Sequence, residues 1–268
     1  LQHAEQAVRR DAERLYAFLQ DAVAAERTRH TRETLKRFDE CLAIFSGRGR
    51  RYVHECASVY FPQLPAIPFY DDALFPWLPR LEQVAEVIRK ELLVVLKEDW
   101  GDFHPYVQHP EGAPVRQWKE LNHSPAWSVF DLWRDGRKIE ANCLRCSKTA
   151  ELLAGLPMAV QEGHGPSAMF SVLAPRTRIP PHTGSSNLRL ITHLPLILPP
   201  GCRFRVGNET REWRSGKAWV FDDTLEHEAW NDSDETRVIL IFDVWNPLIT
   251  EAERTLVSAM MLAMGQFR

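Results

Sequence analysis

The stretch 237-RVILIFDVW-245, set beside 188-LRLITHLPLIL-198, decides the fold. Both are short runs rich in β-branched and aromatic side chains, the composition of a pleated, half-buried strand. Alternation puts Arg237, Ile239, Ile241 and Asp243 on one face of the first run and Val238, Leu240, Phe242 and Val244 on the other. In the second run Arg189, Ile191 and His193 share one face, and Leu190, Thr192 and Leu194 the other. Further β-rich runs lie around them at Met169–Ala174, Cys202–Val206 and Ala218–Phe221, each cut off by turn residues. Strands this closely spaced, with helices segregated to the N-terminal side, predict a mainly β core of jelly-roll or barrel type rather than alternating βαβ units.

Upstream of this core the period changes. Leu81, Val84, Val87, Ile88, Leu92 and Val95 recur at helical spacing and predict a helix over Leu78–Lys97. A short helix is expected over Thr149–Ala154, ended by Gly155 and Pro157. Residues from Ala4 to about Ala43 read as a helical pair, with Thr31 between its members. Prolines 62, 65, 68, 76 and 79 break regular structure, so the junction is placed there. The expected organisation is an N-terminal helical segment, 1–65, and a second domain, 66–268, whose β core occupies about 127–248.

Composition sets outer bounds. The 268 residues are 44% hydrophobic and 26% charged, with 33 basic and 36 acidic side chains and a net charge of −3. These values exclude disordered and collagen-like classes and supply no broad positive field for nucleic acid. No apolar run approaches the roughly 18 residues of a membrane span. The five cysteines, Cys41, Cys56, Cys143, Cys146 and Cys202, are odd in number and scattered, which fits a reducing compartment. The cytoplasm is the expected location, and a start at Leu1 leaves a preceding signal or anchor open. Cys143 and Cys146 form a CxxC with no second pair at metal spacing, so they are read as buried structural thiols.

Two of the ten histidines stand in unusual contexts. His182 lies between Pro180-Pro181 and Thr183-Gly184, and His227 follows Asp222-Asp223-Thr224-Leu225-Glu226. Imidazoles from separate strands can share one transition-metal ion and leave positions open for reaction. The usual non-haem iron site adds a carboxylate, often two residues after the first histidine, but that position here is Gly184. Either Asp222 or Asp223 supplies an oxygen, or the metal keeps two protein ligands. If Arg237 faces into the barrel it needs an anion, and a dicarboxylate cosubstrate would satisfy it; a local aspartate or a solvated strand end is the alternative. His193 could reach a carboxylate near the metal, or be a satisfied core histidine. Arg189 could join it, or be a surface cation, and Ser171 could add a hydroxyl to the same anion. Trp127, Trp133, Trp219 and Trp230 could line a cleft or pack the core.

The order Ser171, Pro181-His182-Thr183-Gly184, Asn187, Arg189, His193, Gly207-Asn208-Glu209-Thr210-Arg211, Phe221-Asp222-Asp223, Glu226-His227-Glu228, Trp230, Arg237 and Asp243-Val244-Trp245 resembles the aspartyl/asparaginyl β-hydroxylase family. Upstream it extends through Trp127-Ser128, Leu132-Trp133, Gly136-Arg137 and Asn142-Cys143. The resemblance implies a double-stranded β-helix and an iron(II)- and 2-oxoglutarate-dependent dioxygenase that uses O2. It implies that His182 and His227 bind the iron, with Gly184 where related oxygenases have their carboxylate. Asp223 would sit close to the metal as a catalytic residue. Arg237 and Ser171 would hold the distal carboxylate of 2-oxoglutarate, with His193 near its metal-binding end and Arg189 counted among the cosubstrate-binding residues.

Some positions depart from the family pattern. The animal peptide hydroxylases carry an arginine where this chain has Ile191 and a glutamine where it has Val129, and Ala150 stands where their disulfide partner would be. The expected reaction is hydroxylation of an unactivated C–H, at the β-carbon of an aspartyl or asparaginyl residue or a related amino acid. Alternatives are hydroxylation of an acyl chain of the lipid A type, halogenation at an iron site that lacks a carboxylate, or a non-catalytic binding protein. The expected partners are thus a peptide, amino-acid or acyl substrate.

Overall fold

The computed structural model describes residues 2–98, 100–161 and 163–267. It divides into two compact units, Leu1–Val53 and His54–Arg268. The first unit contains α1 (Gln2–Ala22), α2 (Ala24–Arg27) and α3 (Arg32–Phe45). Thr31 caps α3, its hydroxyl accepting from Thr34 N at 3.3 Å, and so separates the two helices of the expected pair. The division at Val53 falls earlier than the junction expected at residue 65. Residues 54–61 bond to the β core, with Glu55 N donating to Thr224 O and Ser58 N to Ser185 O, both at 2.9 Å. Within the proline-rich stretch, Pro68 O accepts from Asp222 N at 3.3 Å and Tyr70 N donates to Val220 O at 3.0 Å, so it too is laid on the core.

The second unit contains α4 (Leu78–Gln83), α5 (Ala85–Glu98), β1 (His104–Pro105), β2 (Trp127–Arg134), β3 (Arg137–Lys138), α6 (Glu140–Arg145) and α7 (Ser147–Ala154). There follow β4 (Ala168–Leu173), β5 (Thr177–His182), β6 (Arg189–Ile197), β7 (Cys202–Val206), β8 (Glu209–Glu212), β9 (Trp219–Phe221), β10 (His227–Asn231), β11 (Arg237–Trp245) and α8 (Glu251–Gln266). Among the described residues one sheet has the order β1-β2-β4-β11-β6-β9, with β3 beside β2, and the other β5-β10-β7-β8. Every named strand pair is antiparallel. This is a jelly-roll core with helices packed alongside.

The alternation read from sequence decides what each face meets. Val238, Leu240, Phe242 and Val244 of β11 join Leu190 and Leu194 of β6 and Phe170 of β4 in one buried cluster. Leu81 of α4 and Ile88, Leu92 and Val95 of α5 close that cluster from outside. Their helical spacing gives α4 and α5 a single apolar stripe, and truncating Leu92 to alanine would cost about 2–5 kcal/mol. The opposite face of β11, carrying Arg237, Ile239, Ile241 and Asp243, lines a cavity.

Two elements escape a reading by pattern. Prolines 180 and 181 argue against a strand, yet β5 forms, because it lies at a sheet edge and its register with β10 shifts across the prolines. Beyond β11 lies a helix, α8, that the strand pattern does not announce. Its start is a capping box, Thr250 with Glu253, a T-x-x-E signal present in the sequence. No described helix is long and apolar enough to cross a membrane. None of the five cysteines is in a disulfide, and Cys143 and Cys146 are buried.

Candidate active site

His182 ends β5 and His227 begins β10, and the two are direct partners across that strand pair. Their ring centroids lie 4.0 Å apart. Pro180 O lies 2.8 Å from His182 Nδ1, and Leu225 O lies 3.0 Å from His227 Nδ1. A carbonyl only accepts, so each Nδ1 carries the proton and each Nε2 keeps its lone pair. Metal-binding imidazoles are oriented in this way by backbone acceptors. Burial lowers the pKa of His182. Burial, then the neighbouring His182, takes His227 well below its usual value. Both rings are thus neutral donors at pH 7, and both line a cavity of about 540 Å³, a volume suited to small ligands.

Gly184 is fixed by crowding. Its N–H donates to Asp223 O at 2.6 Å, and a Cβ placed on it would overlap the Asp223 carboxylate. A side chain at 184 and a carboxylate at 223 therefore exclude each other. Asp223 is buried at the cavity wall, its Oδ1 unpartnered among the described residues, and burial raises its pKa to about 7. Asp222 turns elsewhere: its Oδ1 accepts from Thr224 N at 3.0 Å and from Thr224 Oγ1 at 2.6 Å. Of the two aspartates left open by the sequence, Asp223 faces the cavity. Among the described residues no group of three or more His, Cys, Asp or Glu side chains is placed to hold a metal ion, so the histidines stand as a pair.

Arg237 is 1% exposed, yet among the described residues neither its Nε nor its Nη2 has a hydrogen-bond partner. Burial lowers its pKa to about 10, so the guanidinium remains a cation at neutral pH. It lies 5.3 Å from the ring centre of Trp213, a contact that supplies no counter-charge. A buried cation without an anion is costly, which makes this group a receptor for one. Ser171 is two strands from β6, opposite Ile239 of β11, and its Oγ accepts from Trp127 Nε1 at 3.0 Å. Its own hydroxyl proton is left for the cavity. His193, on β6, has an unpartnered Nδ1 among the described residues and a pKa held well below normal by burial and by Arg237. His182, His193, His227, Ser171, Arg237 and Asp223 thus converge on one cavity.

Arg189 lines the same cavity but is already engaged. It pairs with Asp243, and its Nη2 donates to Ser185 Oγ at 2.9 Å. Burial opposes its charge, but Asp243 and then Asp223 outweigh it and raise its pKa. Asp243 also accepts from Ser167 N at 2.6 Å. The structure thus gives Arg189 an internal partner where the sequence reading offered it a cosubstrate.

Other wall residues carried no sequence signal. Arg134 Nε donates to Asp131 Oδ2 at 2.8 Å and its Nη2 lies 2.6 Å from His104 Nε2, while Tyr106 stacks on Trp127 at 4.2 Å between ring centres. His104 arrives through β1, two residues long and defined only by its pairing with β2. Of the four tryptophans considered, Trp127 lines the cavity. Trp133 belongs to the hydrophobic core, Trp219 stacks against Trp213, and Trp230 lies beneath Arg178 and Arg203.

The profile of the Aspartyl/Asparaginyl beta-hydroxylase family matches residues 82–247, which include every residue of this constellation. The mouse aspartyl/asparaginyl beta-hydroxylase is 37% identical over 189 residues, which cover 66% of this chain and 24% of the mouse protein. The chain thus corresponds to about a quarter of that relative's length. An ornithine lipid ester-linked acyl 2-hydroxylase from Rhizobium tropici is 34% identical over 201 residues, 74% of this chain and 67% of that protein. Among solved structures, a Cupin_2 domain of an XRE family transcriptional regulator from Enterobacter cloacae aligns with a TM-score of 0.30 and 12% identity, covering 45% of this chain and 98% of that one. With more than half of its length matched by one profile, β core included, the chain belongs to the aspartyl/asparaginyl beta-hydroxylase family.

Proposed function

We propose that this chain is an iron(II)- and 2-oxoglutarate-dependent hydroxylase that inserts oxygen into an unactivated C–H bond. The observation that carries the proposal is Arg237, a buried guanidinium lacking a carboxylate partner among the described residues, in the same cavity as two lone-pair imidazoles. His182 and His227 would hold the iron, since both present neutral Nε2 atoms oriented by backbone carbonyls. Bound iron(II) would supply the redox chemistry that couples oxidative decarboxylation of 2-oxoglutarate to reduction of O2, with one oxygen entering the substrate.

The protein's part is binding and orientation. Arg237 and the Ser171 hydroxyl grip the distal carboxylate of the cosubstrate, a charge-assisted contact strengthened by exclusion of water. His193 feels the charges of both Arg237 and His227 and packs against the rings of Phe204 and Phe221. Asp223, with a pKa raised to about 7, can accept or hold a proton beside the histidines.

An aspartyl or asparaginyl residue, or a related amino acid, is the first substrate reading, in keeping with the family. The cavity wall favours a second one. Val129, Met169, Ile191 and Ile241 supply apolar surface, while Arg189 and Arg134 are each paired with an aspartate. That lining suits an acyl chain, and the relative from Rhizobium tropici is named for acyl hydroxylation. The test is succinate release with iron(II), 2-oxoglutarate and O2 in the presence of peptides, free amino acids or acyl lipids, with mass spectrometry for a gain of one oxygen. Succinate and a product of plus one oxygen from one class identify the substrate. Succinate formation no greater than in a metal-free control overturns the proposal, and a chloride-dependent halogenated product redirects it.

A further inference from the structure

A segment that belongs to neither sheet is fastened to the loops that carry the site. Ala57 N donates to Gly184 O at 3.3 Å and Ser58 N to Ser185 O at 2.9 Å. Glu55 N donates to Thr224 O at 2.9 Å, and Asn187 bonds both main-chain groups of Phe61, accepting from its N at 2.7 Å and donating to its O at 2.9 Å. Residues 54–61 thus lie along the loop after His182 and the turn before His227, and Ala57 reaches the cavity wall.

His54 enters the turn with its side chain. Its ring is almost wholly buried, with 6% of the side chain exposed. Nε2 lies 3.1 Å from Leu64 O, which can only accept. Nδ1 lies 2.9 Å from Thr224 Oγ1 and 3.1 Å from Asp222 Oδ2. Thr224 spends its hydroxyl proton on Asp222 Oδ1, 2.6 Å away, so toward His54 it offers a lone pair. Both ring nitrogens therefore face acceptors, and the geometry calls for a proton on each. The Asp222 carboxylate beside the ring raises the pKa of His54, in the same direction.

We propose that His54, as an imidazolium, is a positioning residue that sets the orientation of the His227 ring through the turn 222–225. The path has three steps. The charge of His54 fixes the Asp222 carboxylate, which accepts from Thr224 N and Oγ1. Asp222 O accepts from Leu225 N at 3.3 Å, holding the turn closed. Leu225 O then accepts from His227 Nδ1, which selects the tautomer that leaves Nε2 toward the cavity. The consequence for metal affinity rests on His227 being a ligand, as proposed above; the consequence for its tautomer does not.

The test uses histidine side-chain 15N NMR on the metal-free protein at pH 7, followed by titration with Co(II). In the wild type both nitrogens of His54 should be protonated and His227 should be a single Nδ1–H tautomer. In His54→Ala the His227 resonances should average between tautomers, with those of the remote His104 unchanged, and the Co(II) dissociation constant should rise about tenfold, as for other outer-shell partners. His54→Gln, which keeps a donor toward Asp222 without the charge, should fall between the two. A neutral His54 in the wild type overturns the proposal without any variant. So does a folded His54→Ala or His54→Gln protein with an unchanged His227 tautomer. If His227 responds while the wild type binds no Co(II), the positioning role stands and the metal reading fails.

Discussion

Arg237 and Arg189 enter one cavity from opposite ends of β11, the first from its opening residue and the second across from Trp245 at its close. Arg189 has found Asp243; Arg237, more deeply buried, has no carboxylate partner among the described residues. Two arginines on the same sheet face thus differ in kind. A paired guanidinium contributes to the fold as it stands, whereas an unpaired one lowers stability until an anion arrives, which is what a cosubstrate site requires.

The largest expected effects lie between these two ends. His182→Ala or His227→Ala should abolish metal-dependent succinate formation and reduce Co(II) binding to background, read by activity and by absorbance titration. Substantial turnover in either would remove the basis for treating the two arginines as parts of one oxygenase site. Next comes Arg237→Met, which should weaken 2-oxoglutarate binding by about 2–5 kcal/mol, seen as a higher half-saturating concentration. The same variant should melt no lower than wild type when cosubstrate is absent, because it removes an uncompensated buried charge. Arg189→Met is the counter-experiment. It strands Asp243 and should lower the stability of the free protein by about 1–3 kcal/mol in chemical denaturation. Equal losses of stability in the two arginine variants would erase the distinction.

A smaller effect concerns the crowding beside the histidines. Gly184→Ala should cost about 1–3 kcal/mol by overpacking against Asp223, and an added Asp223→Ala should recover most of it. Additive losses in that double variant would show that the two positions do not compete. The smallest effect is a pH dependence. Asp223 has a pKa near 7 in the fold against an ordinary 3.8, so the folded protein keeps a proton that the unfolded chain has released. Its contribution to stability is present below about pH 4 and is lost as the pH rises through 7. His182, His193 and His227, with lowered pKa values, act in the opposite sense in acid. The readout is therefore the difference in Tm between the metal-free wild type and Asp223→Asn, which should turn against the wild type between pH 4 and 7.

Part of this arrangement is legible in the sequence. The alternation along 237–245 and 189–194 gave each strand its two faces, and the structure sends the apolar one to the helices and the mixed one to the cavity. Strand β5 was hidden because its prolines violate strand chemistry, a violation that only its edge position permits. Helix α8 carries its start signal in the sequence as the Thr250–Glu253 capping box, but its weakly patterned apolar residues announce no face. His54, His104 and Tyr106 could not be picked out, since each matters through partners distant in the chain.

By itself the sequence determined which side chains share a strand face, because a pleat alternates with period two whatever surrounds it, and it supplied the residues that mark the family. Only the tertiary structure decided which charges are answered. Whether a guanidinium meets a carboxylate depends on strand order and register, which brought Asp243 to Arg189, left Arg237 for a ligand and set Asp223 against the bare Cα of Gly184. Those are properties of long-range pairing, and no local pattern encodes them.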